Sequence, residues 1–222
     1  MHKMKQNNTK IILIRHGQSL GNANKVFLGH TDMDLTEQGY IQAQTTAEYL
    51  KNEKIDVIYS SDLIRAYNTA VPHAKIRNIE IITSKNLREM YVGAWENCKL
   101  EDILAKWGRE MFINEWQNNF GLFTFPEGES IKDGGFRFYN EVLSIAKANK
   151  GKTILICAHA AVIRSFWSII NRVEWCDLVN KVPFPTNASF SIAYFDGNDI
   201  IPDIYSFDSH LSEVGVTKVI HI

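Results

Sequence analysis

The chain has 222 residues, 45% of them hydrophobic and 22% charged. That balance supports a buried core and excludes disordered, collagen-like and coiled-coil chains. Lys plus Arg number 24 and Asp plus Glu 25, for a net charge of −1. No overall basic field is available to draw nucleic acid or an anionic membrane, so an anion would have to be gripped by a few local cations.

Cys98, Cys157 and Cys176 are too few and too scattered for a disulfide framework or a CxxC metal site. Cys157 lies in an apolar run and reads as a reduced core residue. Met1 to Lys10 is polar and basic, and the apolar run behind it, Ile11 to Ile14, is too short for a signal peptide. No stretch approaches the ~18 apolar residues of a membrane span. The expectation is a cytoplasmic protein with no nucleic-acid or membrane partner. A homo-oligomer is compatible with the sequence.

In chain order, Ile11–Ile14 is β-branched and closes on Arg15-His16-Gly17, a buried strand meeting a turn. A helix opens after Asp34 or Thr36, either of which can cap it, and runs to about Leu50. Ile55–Tyr59 is the second strand. The next helix is expected from Asp62, as its cap, to about His73, with Pro72 marking its end. Ile79–Thr83 is the third strand. Ser130 to Asn149 is a long helix, Ile154–Ala158 the fourth strand, and Val162 to Ile170 a packed helix. Phe190–Phe195 and Ile201–Phe207 flank Asp196-Gly197-Asn198-Asp199, a hairpin turn signal. Val216 to Ile222 alternates weakly, as an edge strand or a partner contact would.

Strands alternating with helices predict a three-layer α/β/α sandwich with a mostly parallel central sheet. The rhythm breaks at about 93–129, which holds Trp95, Trp107, Phe112, Trp116, Phe120, Phe123 and Phe125. This aromatic-rich segment is read as a helical insertion covering one edge of the sheet and the active site, within a single domain spanning 1–222. Trp95 and its aromatic neighbours read first as core.

Reactive side chains stand just past four strand ends: Arg15 and His16, then Arg65, then Glu89, then His159. Ligands of open parallel sheets bind at those carboxyl ends, so these residues are expected to converge. Two Arg offer permanent charge in a fork that matches phosphate oxygens. A neutral imidazole can attack phosphorus, and a carboxylic acid can protonate a leaving alkoxide. No metal or other cofactor is required when Arg and His carry the electrostatics. Ser19 and Ser60 lack a nucleophile-elbow context. A metal site built from His16, His159 and Glu89 would sit beside two guanidinium groups, a poor setting for a cation.

The residues fall in blocks. They are Arg15-His16-Gly17-Gln18-Ser19-x-x-Asn22, Gly29-His30-Thr31-Asp32-x-x-Leu35-Thr36-x-x-Gly39, Ser60-Ser61-Asp62-Leu63-x-Arg65-Ala66-x-x-Thr69-Ala70, Leu87-Arg88-Glu89-x-x-x-Gly93-x-Trp95-Glu96 and Ala158-His159-x-x-x-Ile163-Arg164. Their content and order resemble the histidine phosphatase superfamily, also called the phosphoglycerate mutase-like family, over nearly the whole chain. The resemblance implies that His16 is a nucleophile that becomes phosphorylated. It implies that Arg15, Arg65 and His159 bind the phosphoryl group, with Asn22 as a further contact, and that Glu89 is the proton donor. His159 and the two Arg are expected to hold His16 deprotonated by nearby positive charge. Gln18 and the backbone N–H of Ala160 are further candidate contacts. His30 reads as a rim residue.

Two positions depart from the family pattern. Ala160 stands where Gly usually follows the second histidine, a restriction if φ there must be positive. Asp34 stands where Pro is common, which affects the start of the following helix more than chemistry. No Arg pair follows Glu89, and the insertion offers only Lys99, Lys106 and Arg109 as cations. That favours the phosphatase branch, acting on a small phosphate monoester with an apolar or aromatic part. Mutase-type phosphoryl transfer and an inactive phosphate-binding scaffold are the alternatives.

Overall fold

The computed structural model describes residues 8–217. Six strands, β1 (Thr9–Arg15), β2 (Val57–Ser61), β3 (Ile81–Ser84), β4 (Thr153–Ala158), β5 (Phe190–Phe195) and β6 (Ile200–Phe207), form one sheet in the order β3-β2-β4-β1-β5-β6. β3, β2, β4 and β1 are parallel, while β5 lies antiparallel between β1 and β6. The helices are α1 (Leu20–Asn24), α2 (Glu37–Tyr49), α3 (Ile64–Arg77), α4 (Leu100–Trp107), α5 (Arg109–Met111), α6 (Ile131–Ala148), α7 (Ala160–Ile170) and α8 (Leu178–Lys181).

The strands β1 and β4 read as continuous apolar runs because both of their faces are covered. Alternation then sorts their side chains. Ile11, Leu13, Ile154 and Ile156 pack with Phe138 and Val142 of α6 and with Val162 and Phe166 of α7. Ile12, Ile14, Leu155 and Cys157 pack on the opposite face, with Leu50 after α2 and Ala70 of α3. This is the expected three-layer α/β/α arrangement, with Cys157 in its core.

Two local expectations are corrected. Asp62 does not cap α3; it forms a two-pronged ion pair with Arg88, Nε at 2.7 Å and Nη2 at 2.6 Å. The first N–H of α3, from Ile64, goes to Asp32 Oδ1 at 2.8 Å, a cap supplied from a distant loop. Pro72 does not end α3, which continues to Arg77. The helix keeps going because Thr69, Ala70 and His73 bury a continuous face, which offsets one missing hydrogen bond. Thr36 caps α2 through Gly39 N–H at 3.0 Å. Asp34 acts at that junction as expected, accepting from Leu35 N–H, Tyr40 Oη and Asn68 Nδ2.

The insertion does not run along a sheet edge. β3, at one edge, leaves Ile82 47% exposed. The aromatic residues instead join the α6–α7 core. Trp95 is fully buried, with Phe27, Phe123 and Phe125 rings 5.2, 5.2 and 5.5 Å away. The two ends of the insertion meet: Ala94 N–H donates to Pro126 O at 2.8 Å and Glu129 N–H to Tyr91 O at 2.9 Å. Gly93, at φ +53°, makes this possible, since a Cβ there would lie 2.3 Å from Pro126 O. Arg164 ties the insertion down, its guanidinium 4.7 Å from the Phe120 ring and 4.1 Å from that of Phe184. Of Val216–Ile222, residues 218–222 lie outside the described residues, and Val216 and Thr217 form no strand.

Candidate active site

β1 and β4 are neighbours, and their register pairs Arg15 with Ala158. The next residue on each strand is a histidine. The rings of His16 and His159 therefore meet edge-on, centroids 5.2 Å apart, at the carboxyl end of the sheet. His16 Nδ1 lies 2.7 Å from the Gly17 carbonyl oxygen. A carbonyl can only accept, so Nδ1 carries the hydrogen and Nε2 keeps its lone pair. Burial, then Arg65 and Arg15, holds the His16 imidazole well below the usual histidine range. His159 is pushed well below it too, by burial first and then by Arg65. His159 is thus neutral and does not supply the positive charge expected of it; the two guanidinium groups do.

Arg15 Nη1 donates to Pro185 O at 2.8 Å. Arg65 is anchored by two loop carbonyls, Thr31 O at 2.9 Å and Gly29 O at 2.8 Å. Burial lowers each to about 10, so both stay cationic at neutral pH. Glu89 is 8% exposed. Its Oε1 accepts from Met90 N–H at 3.0 Å and Val162 N–H at 3.1 Å, and its Oε2 from Ala161 N–H at 3.0 Å. The carboxylate thereby covers the first turn of α7, where unpaired N–H groups favour negative charge.

These residues line a cavity with a polar floor and an apolar wall. Arg15, His16, Asn22, Arg65, Glu89 and Ala160 form the floor. Val26, Phe27, Met90, Trp116, Phe125 and Phe184 form much of the wall, with Lys25 as the further cation. His159, fully buried and edge-on to His16, is not among the residues that line the cavity. Ala160 is the first residue of α7 and is absent from the left-handed residues, so a side chain at this position carries no backbone strain.

A model of the histidine phosphatase superfamily (branch 1) matches residues 11–204. The chain belongs to the histidine phosphatase superfamily. It is 32% identical over 219 residues to the metal-independent phosphoserine phosphatase of Arabidopsis thaliana, covering 96% of this chain and 87% of that one. It is 28% identical over 242 residues to the 2,3-bisphosphoglycerate-dependent phosphoglycerate mutase of Corynebacterium kroppenstedtii, covering 96% and 97%. Among solved structures, Bacillus stearothermophilus YhfR superposes with a TM-score of 0.86 at 27% identity, covering 92% of this chain and 100% of that one. As this superfamily's fold requires, the candidate residues of the separate blocks come together in one place.

Gln18 is the exception. Its Oε1 accepts from Thr36 Oγ1 at 2.8 Å and its Nε2 reaches Thr217 Oγ1 at 3.5 Å, away from the cavity. Extended backbone after Gly17 turns alternate side chains opposite ways, and the α2 cap takes this one. His30 is likewise not on the cavity wall; its Nε2 meets the Glu89 carbonyl at 3.0 Å. Several supporting residues escape sequence reasoning. Glu96 gathers the N–H groups of Gly29, His30 and Thr31 at 3.3, 2.7 and 2.8 Å, which fixes the loop whose carbonyls hold Arg65. Arg137 donates to the carbonyls of Asn86, Arg88 and Glu89 and pairs with Glu129 at 2.6 Å, which pins the backbone beneath Glu89. Glu96 stands inside a recognised block, which is the one signal that points to it. Arg137 has none, because its partners are carbonyl groups of any residue type.

Three buried histidines make stability pH-dependent. His16 and His159 are lowered, and His73, whose ring nitrogens have no partner among the described residues, is lowered by burial to about 3. In the unfolded chain each takes a proton near pH 6.5, while in the fold each stays neutral. Stability is full above 6.5 and falls as pH drops, by up to about 1.4 kcal/mol per histidine per pH unit. Urea unfolding at pH 7.0 and 5.0 is expected to show a loss of several kcal/mol, and His73→Leu to flatten it by about a third. A flat response between those pH values would contradict the buried neutral state.

Proposed function

We propose that this protein hydrolyses phosphate monoesters through a phosphohistidine formed at His16. The observation that carries the reading is the His16 ring itself: neutral, with Nδ1 given to Gly17 O, and under the charge of two buried guanidinium groups, Arg65 and Arg15. Nε2 attacks phosphorus, a P–N bond forms, and the ester P–O bond breaks. The phosphoryl oxygens lie against Arg15 and Arg65, which offset charge in the transition state. Asn22 and the Ala160 N–H are the further contacts, with His159 buried edge-on against the His16 ring. Glu89 enters the cycle as the carboxylic acid, gives its proton to the departing alkoxide, and as the carboxylate takes one back from the water that cleaves the P–N bond. Inorganic phosphate leaves and His16 is regenerated.

The wall speaks for the kind of ester. Beyond Arg15 and Arg65 it offers the exposed Lys25, among apolar and aromatic side chains. A bisphosphorylated mutase substrate needs more cationic partners than this. An alcohol with an apolar or aromatic portion fits the wall, and Lys25 suits a single carboxylate such as that of phosphoserine, the ester for which one relative is named. The metal-free reading is supported by the donor set: both Glu89 oxygens accept backbone N–H groups, and both imidazoles are under the positive charge of Arg65.

A panel of monoesters, assayed for phosphate release with and without EDTA, tests this. Aryl and alkyl phosphates are expected to exceed 2,3-bisphosphoglycerate in kcat/KM by about tenfold or more, with no chelator effect. Loss of turnover in EDTA would contradict the metal-free reading. Faster conversion of 3-phosphoglycerate in the presence of 2,3-bisphosphoglycerate than hydrolysis of any ester would move the protein to the mutase branch.

A further inference from the structure

Asn187 lies in the turn that precedes β5 and is fully buried. Its Nδ2 is 2.9 Å from the His16 carbonyl oxygen and 3.1 Å from Asn22 Oδ1. A carbonyl only accepts, so the Asn187 atom facing His16 is the nitrogen. Asn22 Oδ1 also takes the Ser19 backbone N–H at 3.1 Å. A backbone N–H only donates, so that atom of Asn22 is the oxygen. Each amide thus has one allowed flip, fixed by groups that cannot change role. With two donors on its oxygen, Asn22 keeps Nδ2 for a ligand in the cavity that it lines.

The turn itself is held from both sides. Asn187 N–H donates to Thr217 O at 2.9 Å. The next residue, Ala188, sits at φ +56° and directs its N–H to Arg15 O at 3.1 Å and His16 O at 3.2 Å. Asn187 Oδ1, by contrast, is buried with no partner among the described residues. An unsatisfied buried oxygen is costly, and here it accompanies an Nδ2 aimed at two acceptors beside the nucleophile.

We propose that Asn187 is a positioning residue for the phosphoryl group: it sets Asn22 as a donor and holds the main chain of His16, without touching substrate itself. This rests on the reading of the cavity as a phosphoryl site. The probe is inorganic phosphate, measured as a competitive inhibitor of p-nitrophenyl phosphate hydrolysis, with the melting temperature followed in parallel.

Asn22→Ala is expected to raise the phosphate inhibition constant about tenfold, and Asn187→Ala by a similar factor. The double variant is expected to fall short of the product of the two single factors, because Asn187 acts in part through Asn22. Asn187→Asp keeps the shape but sets an acceptor against two acceptors. It is expected to weaken phosphate binding at pH 7.5, and protonation at lower pH to restore part of it. An unchanged inhibition constant in Asn187→Ala, or factors that multiply in the double variant, overturns the proposal. Should the Ala variant fail to fold, unchanged phosphate affinity in Asn187→Asp overturns it equally. If Asn22→Ala has no effect, the phosphoryl-site reading falls and this proposal falls with it; an effect of Asn22→Ala alone sinks only the role of Asn187.

Discussion

His16→Ala is expected to lower turnover of p-nitrophenyl phosphate on the order of 10⁴-fold or more, the scale seen when a nucleophile is removed. The fold should survive. The ring makes its hydrogen bond to the carbonyl of its own neighbour, Gly17, so no distant hydrogen bond is lost with it. The position is 5% exposed, and truncation leaves a void next to an existing cavity, costing about 1–3 kcal/mol. Circular dichroism and a melting curve check the fold. Rapid quenching of the unaltered protein with labelled substrate should trap an acid-labile phosphoenzyme that the variant lacks. Turnover that persists in His16→Ala, or a label that remains, removes the nucleophile from the mechanism. On the proposed mechanism no separate base is needed, because burial and the charges of Arg65 and Arg15 keep the imidazole unprotonated.

Glu89→Gln should separate proton donation from binding. General acid catalysis is worth about 10²–10⁴-fold, and most when the leaving group is a poor one. Alkyl phosphates are therefore expected to slow by about 10²-fold or more, and p-nitrophenyl phosphate by about tenfold or less. A steady-state comparison of the two esters decides it, and equal slowing counts against the acid role. The same substitution disturbs α7. Glu89 accepts three backbone N–H groups through two oxygens, and Gln replaces one oxygen with a donor. A loss of about 1 kcal/mol in stability is expected, as when a helix cap is removed. That loss is the same for every substrate, so the leaving-group dependence stays interpretable.

Much of the site is legible because its residues stand just past strand ends. Apolar runs at Ile11–Ile14 and Ile154–Ala158 mark the central strands, and a parallel sheet gathers the side chains beyond its carboxyl ends into one region. Gln18 is misplaced by its block, which implies membership in the site but not the direction of its side chain. A helix cap eighteen residues onward claims it instead. Asp62 misleads for a related reason. Cap preferences are local, while the N–H of Ile64 is satisfied by Asp32 from another loop.

Composition, periodicity and motif order by themselves determined the layered α/β architecture and the membership in a phosphatase superfamily, and they singled out five side chains that the fold brings together. Those features are written in local patterns that the chain cannot alter on folding. Only the tertiary structure decided that burial lowers the pKa of the His159 imidazole, that Glu96 and Arg137 brace the loops behind Arg65 and Glu89, and that Asn187 donates to Asn22. Burial and hydrogen-bond direction are properties of the groups that surround an atom in space. Those surroundings come from residues as much as 171 positions away, the separation of Asn187 from His16.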